Sequence, residues 1–103
     1  MIIVTSKNNV PIRLTTERWK HIIMRHPEMD NQKERVLETV TEPHLIQQGD
    51  FGELIAMRFY EKSPLTTKYL VVVYKEVTDT DGFIITGYYT PKPSERRKIL
   101  WKP

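Results

Sequence analysis

The feature that most limits what this chain can become is a change of hydrophobic period at Pro43. Before it, apolar positions recur at helical spacing. Trp19, Ile22, Ile23 and His26 fall at i, i+3, i+4 and i+7, and Val36, Leu37 and Val40 form a second, narrower stripe. After it the period is two. Leu54 to Tyr60 alternates Ile55, Met57 and Phe59 with Ala56, Arg58 and Tyr60, the pattern of a strand with one packed and one open face. Lys68 to Lys75 is apolar on both faces over Tyr-Leu-Val-Val-Val-Tyr, which marks a central strand, and Phe83 to Thr90 supplies the last one. Turn residues at Ser63-Pro64 and Asp79-Thr80-Asp81-Gly82 separate the three, and His44 to Gln48 reads as a weaker edge strand.

Ahead of the helices, Ile2-Ile3-Val4-Thr5 and Val10-Pro11-Ile12-Arg13-Leu14 are β-prone runs around the turn-forming Asn8-Asn9. The expected architecture is α+β: two N-terminal helices packed on one face of a four-stranded antiparallel sheet, with a short N-terminal β-hairpin. With 103 residues, one domain spanning 1–103 is expected. No run approaches the eighteen or so apolar residues of a membrane span, and Met1-Ile2-Ile3-Val4-Thr5 lacks the pattern of a signal peptide. A cytoplasmic protein with no membrane partner is therefore expected.

The first helix carries the chemistry. Thr15 or Thr16 can cap its start, Glu17 suits the positive end of its dipole and Arg25 the negative end. Pro27 disfavours α geometry at the residue before it, so the helix should stop at His26 and leave that imidazole at a turn. The absence of cysteine excludes disulfides, thiolate metal sites and a cysteine nucleophile. His21 and Arg25 hold the i, i+4 places where a two-histidine site would need two ligands, so no metal and no cofactor are expected. Lys and Arg total 16 against 13 Asp and Glu, a formal charge of +3. The acidic residues are scattered, whereas Lys92, Arg96, Arg97, Lys98 and Lys102 gather near the C-terminus with only Glu95 among them.

Strand alternation then assembles a candidate site. If Ile55, Met57 and Phe59 pack under the helices, Arg58 and Tyr60 stand on the opposite face. Tyr88 and Thr90 join them if Phe83 and Ile85 face the core, and Lys75 joins from the central strand if Leu70, Val72 and Tyr74 turn inward. A guanidinium, an ammonium, phenols and a hydroxyl on one face suit phosphate. His26 can take or give a proton beside them, with His21, on the far side of the helix, as the alternative imidazole. Glu17, Glu28 and Glu53 are the available carboxylate bases. The set matches what metal-independent RNA cleavage needs: a base for the 2′-hydroxyl, an acid for the leaving 5′-oxygen, and cations between them.

The segment Arg18-Trp19-Lys20-His21-Ile22-Ile23-Met24-Arg25-His26-Pro27-Glu28, the Glu42-Pro43 pair, Lys68-Tyr69-Leu70-Val71-Val72-Val73-Tyr74 and Ile84-Ile85-Thr86-Gly87-Tyr88-Tyr89-Thr90 together resemble small prokaryotic domains of the barnase, EndoU, colicin E5/D and RelE superfamily of ribonucleases. The resemblance covers nearly the whole chain. It implies metal-independent endoribonuclease activity, often in toxins that inhibit translation, with a sheet surface that binds RNA. Carried over by position, the helix-end histidine falls on His26, the strand arginine on Arg58, and the hydroxyl of the Tyr-x-Thr ending on Thr90, with Tyr88 nearby. One departure is plain: no glutamate of the barnase kind stands in the strand pattern.

The expected function is a toxin-like endoribonuclease in which His26 transfers the proton, Arg58 stabilises the phosphorane, and Thr90 and Tyr88 position phosphate. Lys75, Lys92, Arg96, Arg97 and Tyr60 are expected to hold the RNA, free or on the ribosome, and a small acidic antitoxin is the expected protein partner. The alternatives are a catalytically silent nucleic-acid or ribosome-binding module and a protein-interaction domain with a structural His26.

Overall fold

The computed structural model describes residues 1–103. In chain order the elements are β1 (Ile2–Thr5), β2 (Pro11–Leu14), α1 (Thr16–Arg25), a 3-10 turn over Pro27–Met29, α2 (Lys33–Thr41), β3 (Leu45–Gln48), β4 (Leu54–Phe59), β5 (Tyr69–Thr78), β6 (Asp81–Thr90) and β7 (Ile99–Trp101). None of the helices is long and apolar enough to cross a membrane.

The four-stranded antiparallel sheet of the sequence analysis is not what forms. All strands join one seven-stranded mixed sheet in the order β1-β2-β6-β5-β4-β3-β7. Two additions account for the difference. The N-terminal hairpin does not stand apart: β2 pairs in parallel with β6 through Ile12–Gly82 and Arg13–Phe83. At the other edge β7 pairs with β3 through Ile46–Trp101 and Gln47–Ile99. A single sheet of this width leaves fewer unpaired edge groups than a four-stranded sheet with a separate hairpin. The run that is apolar on both faces, β5, occupies the middle of the order.

Both helices pack on one face. Trp19 and Ile22 of α1, Met29, and Val36 and Val40 of α2 meet Ile12, Leu14, Ala56, Leu70, Val72, Tyr74, Ile84 and Tyr89 in one buried cluster. Local signals start and stop α1. The Thr15 hydroxyl accepts from the Arg18 N–H, and His26, outside helical geometry at φ −134°, closes the last turn by donating its N–H to the Ile22 carbonyl. Asn31, at φ +68°, turns the chain into α2 in a conformation that asparagine tolerates better than most residues.

Two facings differ from the expected ones. On β4 it is Ala56 that lies under the helices, while Ile55 and Met57 form a smaller cluster with Val71 on the far face. Arg58 and Tyr60 therefore stand on the helix side, where a one-residue shift of parity puts them. There the Arg58 guanidinium donates to the Glu42 carbonyl at the end of α2, and its Nε lies 3.3 Å from Glu38 Oε1. The Tyr60 hydroxyl donates to the Glu38 carboxylate. On β6 the pairing slips between Tyr74–Ile84 and Val73–Thr86, a bulge at Ile85. The bulge reverses the parity midway, so Ile84 and Tyr89 face the helices, whereas Phe83, Tyr88 and Thr90 do not.

Candidate functional site

The face opposite the helices is not open over its whole width. Residues 91–98 must carry the chain from the end of β6 to β7 at the far edge, four strand spacings or roughly 19 Å away. Eight residues span up to about 26 Å when extended, so the segment covers this distance with room for its bends, as a strap across the sheet. It crosses on the face opposite the helices, because Gln47, which shares that face with Ile55, donates from Nε2 to the Ser94 carbonyl at 2.7 Å. Further along, Arg97 grips the Asp50 carboxylate at 3.1 and 3.3 Å and the Gln48 carbonyl at 3.2 Å, and the Gln48 N–H reaches the Lys98 carbonyl.

Strap and sheet enclose a depression of about 290 Å³. Its floor is Ile55, Met57 and Val71, one wall is Tyr88 and Thr90, and Lys92, Ser94 and Arg97 form the rim, with Gln47 at the β3 side. A second, wholly polar depression of about 620 Å³ continues from it past Ser94 and Arg97 to Arg96, Lys98 and Asp50. Four of the five cations of the C-terminal cluster, Lys92, Arg96, Arg97 and Lys98, thus line these two hollows, and Lys102 lies outside them.

His26 reaches this face by a different route. Strand β2 covers only the first half of β6, through Gly82 and Phe83, and α1 runs along the remaining edge, where Arg18 donates to the Ile85 carbonyl. The end of α1 therefore arrives beside Tyr88, and the imidazole packs on that ring with centroids 5.5 Å apart and planes tilted by 32°. Its side chain is 34% exposed, which leaves it open to a ligand. Glu28, in the 3-10 turn just beyond, places Oε2 3.9 Å from His26 Nδ1. That carboxylate, one of three eligible in sequence, is the one that comes near the imidazole.

The expected site residues separate into two groups. Tyr88, Thr90, Lys92 and Arg97 line one hollow, His26 packs on Tyr88 beside it, and Arg96 lies in the adjoining hollow. Arg58 and Tyr60 are on the opposite face and cannot touch the same phosphate as His26. Burial, and next the bonded Glu38, push the Tyr60 phenol far up from its usual value. Lys75 shares the face of Val71 and Val73, but it pairs with Phe83, four residues or about 13 Å along the strand from the level of Tyr88. His21 lies apart, with Thr15, Glu17 and Arg18 at a polar recess on the other side of α1. His44 serves the sheet, where its Nδ1 accepts the Phe59 N–H at 3.1 Å. Sequence reasoning missed Gln47 and Ser94. The one available signal was a polar residue directly after the apolar pair Leu45-Ile46, at a strand position that the structure buries on the strapped face.

The fold and site define a small α+β domain that carries an imidazole and a cation-rimmed hollow on a strapped sheet face. Compared with protein-family models, curated proteins and solved structures, the chain matches none of them.

Proposed function

We propose that this chain is an endoribonuclease that cuts RNA without a metal, by attack of the 2′-hydroxyl on the adjacent phosphate. The observation that carries the reading is the half-buried but accessible His26 imidazole packed on Tyr88, at the side of a hollow rimmed by Lys92 and Arg97. His26 takes the 2′-hydroxyl proton as the oxygen attacks phosphorus, then returns it to the departing 5′-oxygen, leaving a 2′,3′-cyclic phosphate and a 5′-hydroxyl. Glu28, with Oε2 3.9 Å from Nδ1, balances the charge the imidazole acquires. The phosphorane charge falls to Lys92 and Arg97, in place of the Arg58 expected from alternation, with the Thr90 and Tyr88 hydroxyls donating to phosphate oxygens. The cationic hollow past Ser94 follows the RNA backbone, free or on the ribosome. The same surface suits a small acidic antitoxin, and on this reading the protein is a cytoplasmic toxin of translation.

The test is cleavage of RNA in EDTA, with product ends identified and an all-deoxy strand as control. His26→Asn should slow cutting by about 10²–10⁴-fold without lowering the melting temperature. RNA left intact by the wild-type protein would end this reading. One observation favours a second reading, a silent RNA-binding module: Lys92 and Arg97 already pair with Glu95 and Asp50. That reading predicts salt-sensitive binding unaffected by His26→Asn.

A further inference from the structure

The cleavage reading leaves one group in the hollow unused. Gln47 is 1% exposed, and its Nε2 faces the Ser94 carbonyl at 2.7 Å. A carbonyl only accepts, so the nitrogen end of the amide is assigned and Oε1 is the free acceptor. That oxygen is shut off from water and has no donor. Buried acceptors in this state are costly and uncommon. The other orphan polar atoms, on Arg58, Thr67 and Tyr74, belong to residues that do not line the hollow.

The surroundings indicate what would satisfy it. The floor of Ile55, Met57 and Val71 is hydrocarbon on two adjacent strands, flanked by the Tyr88 ring and by the Lys92 and Arg97 cations. A small apolar floor, an aromatic neighbour, phosphate-binding cations and one fixed acceptor are complementary to a nucleotide: a planar base with apolar faces and a polar edge. We infer that the hollow is a base-recognition subsite in which Gln47 Oε1 accepts from the exocyclic amino group of the bound base. This rests on the RNA reading above and adds the class of base. An acceptor shut off from water is met only as the Lys92–Arg97 rim gives way to the incoming base, and an exocyclic amino group then supplies the missing donor, so cytosine, with N4 as donor, fits. Uracil carries an oxygen at the same place, and that oxygen would be set against Oε1 and the Ser94 carbonyl, acceptor facing acceptor.

The experiment compares short single-stranded oligocytidine and oligouridine, both 2′-O-methylated to block cleavage, by fluorescence anisotropy at low salt. The wild-type protein should bind oligocytidine about tenfold more tightly, the worth of one buried hydrogen bond. Gln47→Met keeps the length and loses the amide, and should bring the two affinities together while circular dichroism still reports a folded chain. Equal wild-type affinities overturn the inference, whether or not the variant folds. So does a Gln47→Met protein that keeps the preference, because Gln47 would then only anchor the strap. Binding of neither oligonucleotide would overturn the RNA reading itself, a failure distinguishable from the other two.

Discussion

Tyr74→Phe tests the packing that places the site. The Tyr74 ring is fully buried in the cluster under the helices, and its hydroxyl has no partner there. An unpartnered buried hydroxyl costs about 1–3 kcal/mol, and deleting one oxygen leaves a void smaller than a methyl group, so the net gain should be about 1 kcal/mol. For a domain of this size that raises the melting temperature by roughly 4–8 °C at neutral pH. The effect should grow in alkali. Burial, and secondarily the charge of Glu76, push the Tyr74 phenol well above its ordinary value, so the native state holds a proton that the unfolded chain gives up near pH ~10. A group raised by folding contributes stability that is complete below the unfolded pKa and is lost as pH rises through the folded one. Wild-type stability should therefore fall above pH ~10, and Tyr74→Phe should remove part of that fall. Tyr60, raised for similar reasons, retains the rest. Thermal melts followed by circular dichroism from neutral to alkaline pH measure both effects. A lower melting temperature for Tyr74→Phe at neutral pH would refute the reasoning, because the hydroxyl would then have a partner.

Two further substitutions separate the helix side of the sheet from the strapped side. Arg58→Ala removes the bond to the Glu42 carbonyl and the pairing with Glu38, and should cost about 1–3 kcal/mol in chemical denaturation. RNA cutting by the folded fraction should be unchanged, and a hundredfold loss of cutting at unchanged stability would return Arg58 to the site. Thr15→Ala deletes the cap of α1 and should cost about 1 kcal/mol, read by the same denaturation. Thr15→Ser should restore most of it; a variant indistinguishable from wild type would show that the cap does not hold the helix.

The elements whose causes are local were legible in the sequence. Thr15 and Pro27 bracket α1, and the β5 run that is apolar on both faces lies in the middle of the sheet. Facings were less legible. Alternation states which residues share a face, but not which face lies under the helices. Expecting one wet face assigned the larger side chains Ile55 and Met57 to the helices. The strap buries them on the other side instead, and small Ala56 is left beneath the helices. Tyr88 and Thr90 reached the expected face for an unexpected reason, since the bulge at Ile85 reversed a parity that had been assigned the wrong way round.

By itself the sequence determined the helix end that presents His26, the central strand, and the cationic cluster that follows β6. Those depend on capping, proline sterics, hydrophobic period and charge, all of which act over a few residues. Only the tertiary structure decided that β2 joins β6, that residues 91–98 cross the sheet, and that Gln47 meets Ser94 across 47 positions of chain. Those pairings depend on which edges and faces remain unfilled once the chain has collapsed, and no local pattern records that.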